Sequence, residues 1–207
     1  MNQGPYHPYP PPKSSGSSAM IIIVVVVVLI VPLLGVVASL AIYGVRRYLA
    51  AAKTAEAKNT VGAIARGAAA GYERETLDIT GKPVHALCDS TGPNAPGHGP
   101  VPSTIPRGMK YMPSSAPGTD FETGTPEGGW RCLRFAVSQP IYYQYHYNKG
   151  SGYLSPTAPL GPNAFEAAAQ GDIDADGNPS LFTRSGVVDA SGNMVLSTQI
   201  RVVEEFE

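Results

Sequence analysis

The dominant feature of the polarity pattern is one long apolar run. The stretch "AMIIIVVVVVLIVPLLGVVASLAIYGV" extends from Ala19 to Val45 without a charged residue. A helix needs about 20 apolar residues to cross the bilayer core, so the run predicts a transmembrane half-helix over 19–45. We expect Pro32 and Gly35 to bend this helix rather than end it. A cleaved secretory signal fits less well, because its apolar core is only about 7–15 residues long.

The helical pattern continues beyond this run with a different polarity. Alanine, the strongest helix former, dominates from Tyr48 to Glu75. Apolar residues recur there at spacings of three and four, which is the period of one helix face: Val61, Ile64, Ala65, Ala68 and Tyr72. We predict an amphipathic half-helix over 46–79, unbroken to about Thr76 and ended by Gly81 and Pro83.

Beyond Trp130 the apolar period changes from helical to alternating. The segments "CLRFAV" and "IYYQYHY" predict two adjacent strands, with Tyr143, Tyr145 and Tyr147 on one face. "SLFTRSGVVD" and "MVLSTQIRVV" predict a hairpin joined through "ASGN", whose Gly192 and Asn193 favour a turn. These strands would form an antiparallel sheet with one face open to the amphipathic helix. The sequence therefore predicts an α+β fold.

Composition bounds the remainder of the chain. Among 207 residues there are 23 glycines and 20 prolines, which indicate much loop, and the formal net charge is −1. Because there is no basic excess, nucleic acid is not an expected partner. We expect one β-rich globular domain over 80–207.

The N-terminal segment 1–18, "MNQGPYHPYPPPKSSGSS", has few apolar residues to bury. We expect it to be disordered. Its prolines favour polyproline II structure, which an aromatic-lined groove of a cytoplasmic partner could bind. The alternative is a solvated spacer with no partner.

The two cysteines, Cys88 and Cys132, allow either one bridge or two free thiols. They enclose a segment rich in proline and glycine, from Asp89 to Arg131, that has little periodicity. A bridge around a loop of this size would contribute about 4 kcal/mol in the chain-entropy model.

The sharpest local motif is "GDIDADGN", in which Asp172, Asp174 and Asp176 alternate before Gly177. Carboxylates on alternate residues of a tight loop can converge on calcium. Thr183 stands where an EF-hand has its bidentate glutamate, so a complete EF-hand is excluded. The alternative is an Asp-Gly turn with solvated side chains.

Catalysis finds little support in the sequence. The histidines are scattered, and a packing or hydrogen-bonding role suits His146 in its tyrosine-rich strand. No nucleophile elbow, zinc-protease or phosphate-loop motif occurs. We expect that the chain is not an enzyme and needs no certain cofactor.

The segment from Leu33 to Glu75 resembles the long N-terminal helix of type IV pilins and pseudopilins. Gly35, Tyr48, "AKTAEAK" and Ile64 fall in the order of that family. The resemblance implies a pilin-like fold whose apolar half-helix moves from the inner membrane into the core of a filament. Four residues would belong to this filament-core helix: Pro32, Gly35, Tyr48 and Glu56.

The resemblance also implies partners and a second half of the helix packed on a sheet. Val61, Ile64, Ala68 and Tyr72 would provide that packing. The partners would be copies of the chain or other pilins, together with the inner-membrane assembly machinery. Pseudopilins that bind calcium through loop carboxylates add support to the aspartate motif.

Two features depart from the family pattern. Gly16 is the candidate site of leader cleavage, but only Lys13 precedes it as a basic side chain. No acidic residue precedes Glu56, whereas prepilins carry a glutamate near the start of the mature helix. These departures favour, as an alternative, a membrane-anchored periplasmic binding module that does not polymerise.

Charge and resemblance disagree on topology. Arg46, Arg47, Lys53 and Lys58 follow the span, which by the positive-inside rule places the C-terminal domain in the cytoplasm. The resemblance implies the opposite, a single-pass inner-membrane protein with a cytoplasmic N-terminus and a periplasmic domain. We adopt the second topology, because a cysteine pair flanking a loop suits an oxidising compartment.

Overall fold

The computed structural model describes residues 16–91, 99–150 and 161–205. The predicted tail 1–18 lies outside the described residues except for its last three, which begin the first helix. The chain divides into two compact units, Met1–Tyr48 and Leu49–Glu207.

Helix α1 comprises Gly16–Glu73 and passes from the first unit into the second. It begins three residues before the predicted Ala19 and continues through Pro32 without a break. Among the described residues it is the one helix long and apolar enough to cross a membrane, and its most apolar window has no buried residue. The first unit is thus compatible with the membrane span of a single-pass protein.

Helix α1 ends at Glu73, before the predicted end near Thr76 and well before residue 79. A hairpin of strands β1 (Glu75–Leu77) and β2 (Pro83–His85) follows instead. The Asp78 carboxylate accepts hydrogen bonds from the Thr80 N–H and hydroxyl and from the Lys82 N–H. This local turn closes the hairpin that follows the helix.

The second unit contains an antiparallel sheet of five strands in the order β3-β4-β5-β6, with β7 also paired to β5. The strands are β3 (Gln144–Lys149), β4 (Ala164–Gly171), β5 (Ser180–Val188), β6 (Met194–Leu196) and β7 (Arg201–Val203). The hairpin predicted through "ASGN" is confirmed by the pairing of β5 with β6. The predicted final strand is two strands, because the chain turns at Ser197, whose hydroxyl donates to the Gln199 carbonyl.

The prediction of a strand over "CLRFAV" is wrong. A short helix, α2 (Gly129–Leu133), occupies this region and ends at Arg134 with φ of +50°. The aromatic rings of Trp130 and Phe135 pack against Phe121, at centroid distances of 4.9 and 5.4 Å from it. The apolar residues of this segment therefore serve a local aromatic cluster rather than a sheet.

The two faces of the sheet differ in polarity. Tyr145 and Tyr147 pair with Ala169 and Ala167, so these residues share one face. They form one buried core with Ala57 and with the predicted stripe of α1: Val61, Ile64, Ala65, Ala68 and Tyr72. The opposite face presents polar residues that are also buried: Gln144, His146, Glu166 and Thr183.

Candidate functional site

The residues proposed for a filament core lie in different surroundings along α1. The helix backbone is regular at Pro32, and nothing lies within 4 Å of a side chain built at Gly35. Tyr48, at the end of the first unit, is 75% exposed. The described surface of the first unit is thus free to contact lipid or protein.

Glu56 has a defined role within the second unit. One of its carboxylate oxygens accepts hydrogen bonds from the Tyr142 backbone N–H, at 2.9 Å, and from the Tyr145 hydroxyl, at 3.1 Å. Burial and the nearby Glu56 charge raise the pKa of Tyr145. Glu56 therefore fastens α1 to the chain around the start of β3, whatever part it has in a filament.

Two glycines of α1 allow neighbouring groups to approach the helix closely. A side chain at Gly67 would lie 2.7 Å from the Leu133 carbonyl oxygen, and one at Gly71 would lie 2.9 Å from the Cys88 sulfur. The helix surface here is shaped to accept α2 and the disulfide. Gly67 and Gly71 therefore serve packing inside the second unit.

The cysteines form a disulfide, Cys88–Cys132, with Cα atoms 5.8 Å apart and both residues buried. The Arg74 guanidinium donates to the Cys132 carbonyl. Next to the bridge, the Asp89 N–H donates to the Glu127 carbonyl, and the Asp89 carbonyl accepts a hydrogen bond from the Gly129 N–H. The bridge thus joins the segment that follows β2 to α2, and its Cys88 sulfur lies against α1 at Gly71.

The aspartate motif lies in the turn between β4 and β5. Oxygens of Asp172, Asp174 and Asp176 come within 4.8 Å of one another. Asp172 is buried, and its Oδ1 has no hydrogen-bond partner in the described structure, whereas its Oδ2 accepts from the Gly177 N–H and lies 3.7 Å from Arg107 Nε. The donor set is chemically suited to calcium, which prefers oxygen ligands.

The same loop also has the bonds of a self-contained turn. The Asp174 and Asp176 carboxylates each accept a backbone N–H two residues on, and bonds to Asn178 lower the pKa of Asp176. Calcium binding therefore stays a prediction, with the Asp-Gly turn as its alternative.

If the loop binds calcium, the cation should stabilise the folded second unit. We expect the melting temperature of the full chain in detergent to rise by several degrees between chelator and millimolar calcium, because a ligand that binds only the folded state stabilises it by mass action. Replacing Asp174 and Asp176 together with asparagine should remove this response. Superimposable melting curves with chelator and with calcium would show that the loop is only a turn.

A cavity of about 900 Å³ lies on the polar face of the sheet. Its floor contains Gln144, His146 and Gln170, and the loop around Pro102–Tyr111 forms its wall. Burial lowers the pKa of His146 to about 4, which keeps the imidazole neutral at physiological pH. The tyrosine pattern identified this strand, but the cavity depends on the loop that covers its other face.

The buried His146 predicts a pH dependence of stability. Its pKa is about 4 when folded and 6.5 in a model peptide, so the unfolded chain binds more protons between these values. The contribution of the neutral His146 to the free energy of unfolding is therefore fully present above pH 6.5. It should fall by up to about 3 kcal/mol as the pH drops to 4.

Melting curves between pH 7 and 4.5 test this dependence. The variant His146→Gln should lose most of the slope that the parent shows, while His85→Gln, an exposed position, should keep it. Equal slopes in the parent and His146→Gln would contradict the assignment.

Comparison with known proteins identifies no relative. No protein-family model, no curated protein and no solved structure matches the chain.

Proposed function

We propose that this chain is a pilin-like subunit of a type IV pilus or a type II secretion pseudopilus, which polymerises through its N-terminal helix. The observation that carries the proposal is the division of α1 into two surfaces. Apolar side chains from Met20 to Val45 are exposed, whereas the stripe from Ala57 to Tyr72 is buried in the core of the second unit. The exposed part needs an apolar environment, and either lipid or further copies of the same helix can supply it.

The proposed location follows from the same division. The apolar part of α1 would lie in the inner membrane with the N-terminus in the cytoplasm, and the second unit would lie in the periplasm. The Cys88–Cys132 disulfide supports an oxidising compartment for the second unit. The partners would be other copies, related pilins and the assembly machinery, and assembled subunits would appear in a surface filament. The role is structural rather than catalytic.

Photocrosslinking in living cells tests polymerisation. A photoreactive phenylalanine at Leu40, which is exposed on α1, should give a ladder of covalent multimers after irradiation. The same residue at the exposed position Ile79 marks the background from the second unit. Crosslinks from Leu40 to lipid alone would contradict a filament.

The cavity favours a second candidate function, an anchored periplasmic binding module that does not polymerise. Its volume of about 900 Å³ is suited to a small-molecule ligand. In this alternative the segment 1–18 would remain on the mature chain and recruit a cytoplasmic partner. Crosslinking from the N-terminal segment to one partner, without multimers from Leu40, would favour this function.

A further inference from the structure

The cavity on the polar face of the sheet has a wall that is hydrogen-bonded at three places to β3 or to the residues that flank β3 and β4. Val101 exchanges two backbone hydrogen bonds with Tyr145, at 2.7 and 2.9 Å. Tyr111 exchanges two with Ile141, both at 2.8 Å. Between these points the Gly108 N–H donates to the Asp172 carbonyl at 2.8 Å. A wall fastened in this way keeps the cavity open before a ligand arrives, which lowers the entropy cost of binding.

The floor of the cavity presents two carboxamides side by side. Gln144 and Gln170 are direct partners in the pairing of β3 with β4, so their side chains are neighbours on one face. Gln144 Nε2 donates to the Pro102 carbonyl at 2.9 Å, and the oxygen of the same amide is an acceptor. A carboxamide both donates and accepts, as does a hydroxyl group. The floor therefore suits a ligand with several hydroxyls.

The charged side chains that line the cavity are all positive. Among the described residues that line it, Arg107 and Lys110 are cationic and none is acidic. Arg107 is balanced in part by Asp172, 3.7 Å away. Lys110 lies over the Tyr142 ring, 4.8 Å from its centroid, and forms no ion pair in the described part of the chain. An aromatic ring leaves the charge of the ammonium group in place, so Lys110 is available to an anion.

The remaining wall is mostly apolar, and Ser103 and Thr104 are its polar residues. Prolines 102 and 106, Ile105 and the ring of Tyr111 line the cavity. The Tyr111 hydroxyl donates to both Asp120 oxygens, at 2.8 and 3.0 Å, which holds the ring in one place. Rings and aliphatic groups of this kind pack against the C–H face of a sugar.

From these features we propose that the cavity binds a small hydroxylated carboxylate, an acidic sugar unit, with its carboxylate at Lys110 and its hydroxyls on Gln144 and Gln170. The proposal is independent of polymerisation, because all of its residues belong to the second unit. A filament subunit and an anchored module could each use such a site at the surface of the cell.

Isothermal titration of the full chain in detergent tests the proposal with defined probes. Digalacturonate should bind with a dissociation constant of about 1 mM or tighter, and the neutral digalactose should bind at least about tenfold more weakly. N-acetyl-dialanine has a carboxylate but no hydroxyl groups, so it too should bind more weakly than digalacturonate.

Two variants and a control locate the site. Lys110→Gln should weaken digalacturonate binding about tenfold, and Gln170→Leu should remove the preference for digalacturonate over N-acetyl-dialanine. Lys82→Gln, an exposed lysine in the β1–β2 hairpin, should bind as the parent does. Unchanged melting temperatures would show that the variants are folded.

Four results would overturn the proposal. The first three are no binding at digalacturonate concentrations several times the expected dissociation constant, equal binding of digalactose, and full affinity in a folded Lys110→Gln variant. Equal affinity for N-acetyl-dialanine would also overturn it, because the floor would then not select hydroxyl groups.

Discussion

Replacing Ile64 with aspartate should prevent the second unit from folding in the full-length chain. Ile64 is fully buried within the stripe of α1 that faces the core. The substitution removes apolar contacts and places a carboxylate without a partner among aromatic and alanine side chains. The loss should exceed about 4 kcal/mol, a large part of the 5–15 kcal/mol that stabilises a typical domain. Limited proteolysis of membranes should then degrade the second unit rapidly.

Ala70→Asp is the matched control for this experiment. Ala70 lies on the same helix, six residues after Ile64, but its side chain is exposed. This variant adds the same charge to α1, so it should stay as resistant to protease as the parent. Parental resistance in Ile64→Asp would contradict the packing of the α1 stripe in the core.

Removing the disulfide should have the second large effect. The bridge Cys88–Cys132 spans 44 residues and lies against α1 near Gly71. Serine at both positions frees the enclosed loop in the unfolded chain and places two hydroxyls in a buried site. The expected loss is on the order of 2–5 kcal/mol, measured as a lower midpoint in denaturant for the full chain in detergent.

Reduction of the parent protein provides the control. Dithiothreitol should lower the midpoint of the parent toward that of the double-serine variant and leave the variant unchanged. A variant with the parental midpoint would mean that the hydrogen bonds of the loop hold it without the bridge.

Several elements could be predicted because local pattern and final environment agree. The apolar run predicted a helix long enough to span a membrane, and α1 contains the whole run. The stripe containing Val61 and Ile64 repeats with the period of a helix, and the core uses that face. The hairpin through Gly192 has both a turn sequence and alternating flanks, and the structure pairs β5 with β6 there.

Other elements could not be predicted because the tertiary structure overrides local preference. Strand β4 is rich in alanine, a helix former, yet it lies buried between β3 and β5. Its Ala167 and Ala169 are small enough to leave space for the rings of Tyr147 and Tyr145, their partners across the strand pair. The alternation of apolar and polar residues near Leu133 predicted a strand that does not form, because Phe135 packs in an aromatic cluster with Trp130.

The candidate sites show the same contrast. The aspartates of the 172–176 loop stand at alternate positions of one short loop, so their convergence could be expected from the sequence. The cavity floor joins Gln144 with Gln170 through strand pairing, and its wall comes from a loop that has no periodicity. Only pairing across the sheet brings these groups together.

The intact mass of the chain, measured in membranes and in material sheared from the cell surface, tests the proposed filament most directly. We expect a sheared species that has lost a leader ending near Gly16 and is about 2 Da lighter before reduction, because the bridge removes two hydrogens. A full-length chain confined to the membranes would contradict the filament and favour the anchored binding module.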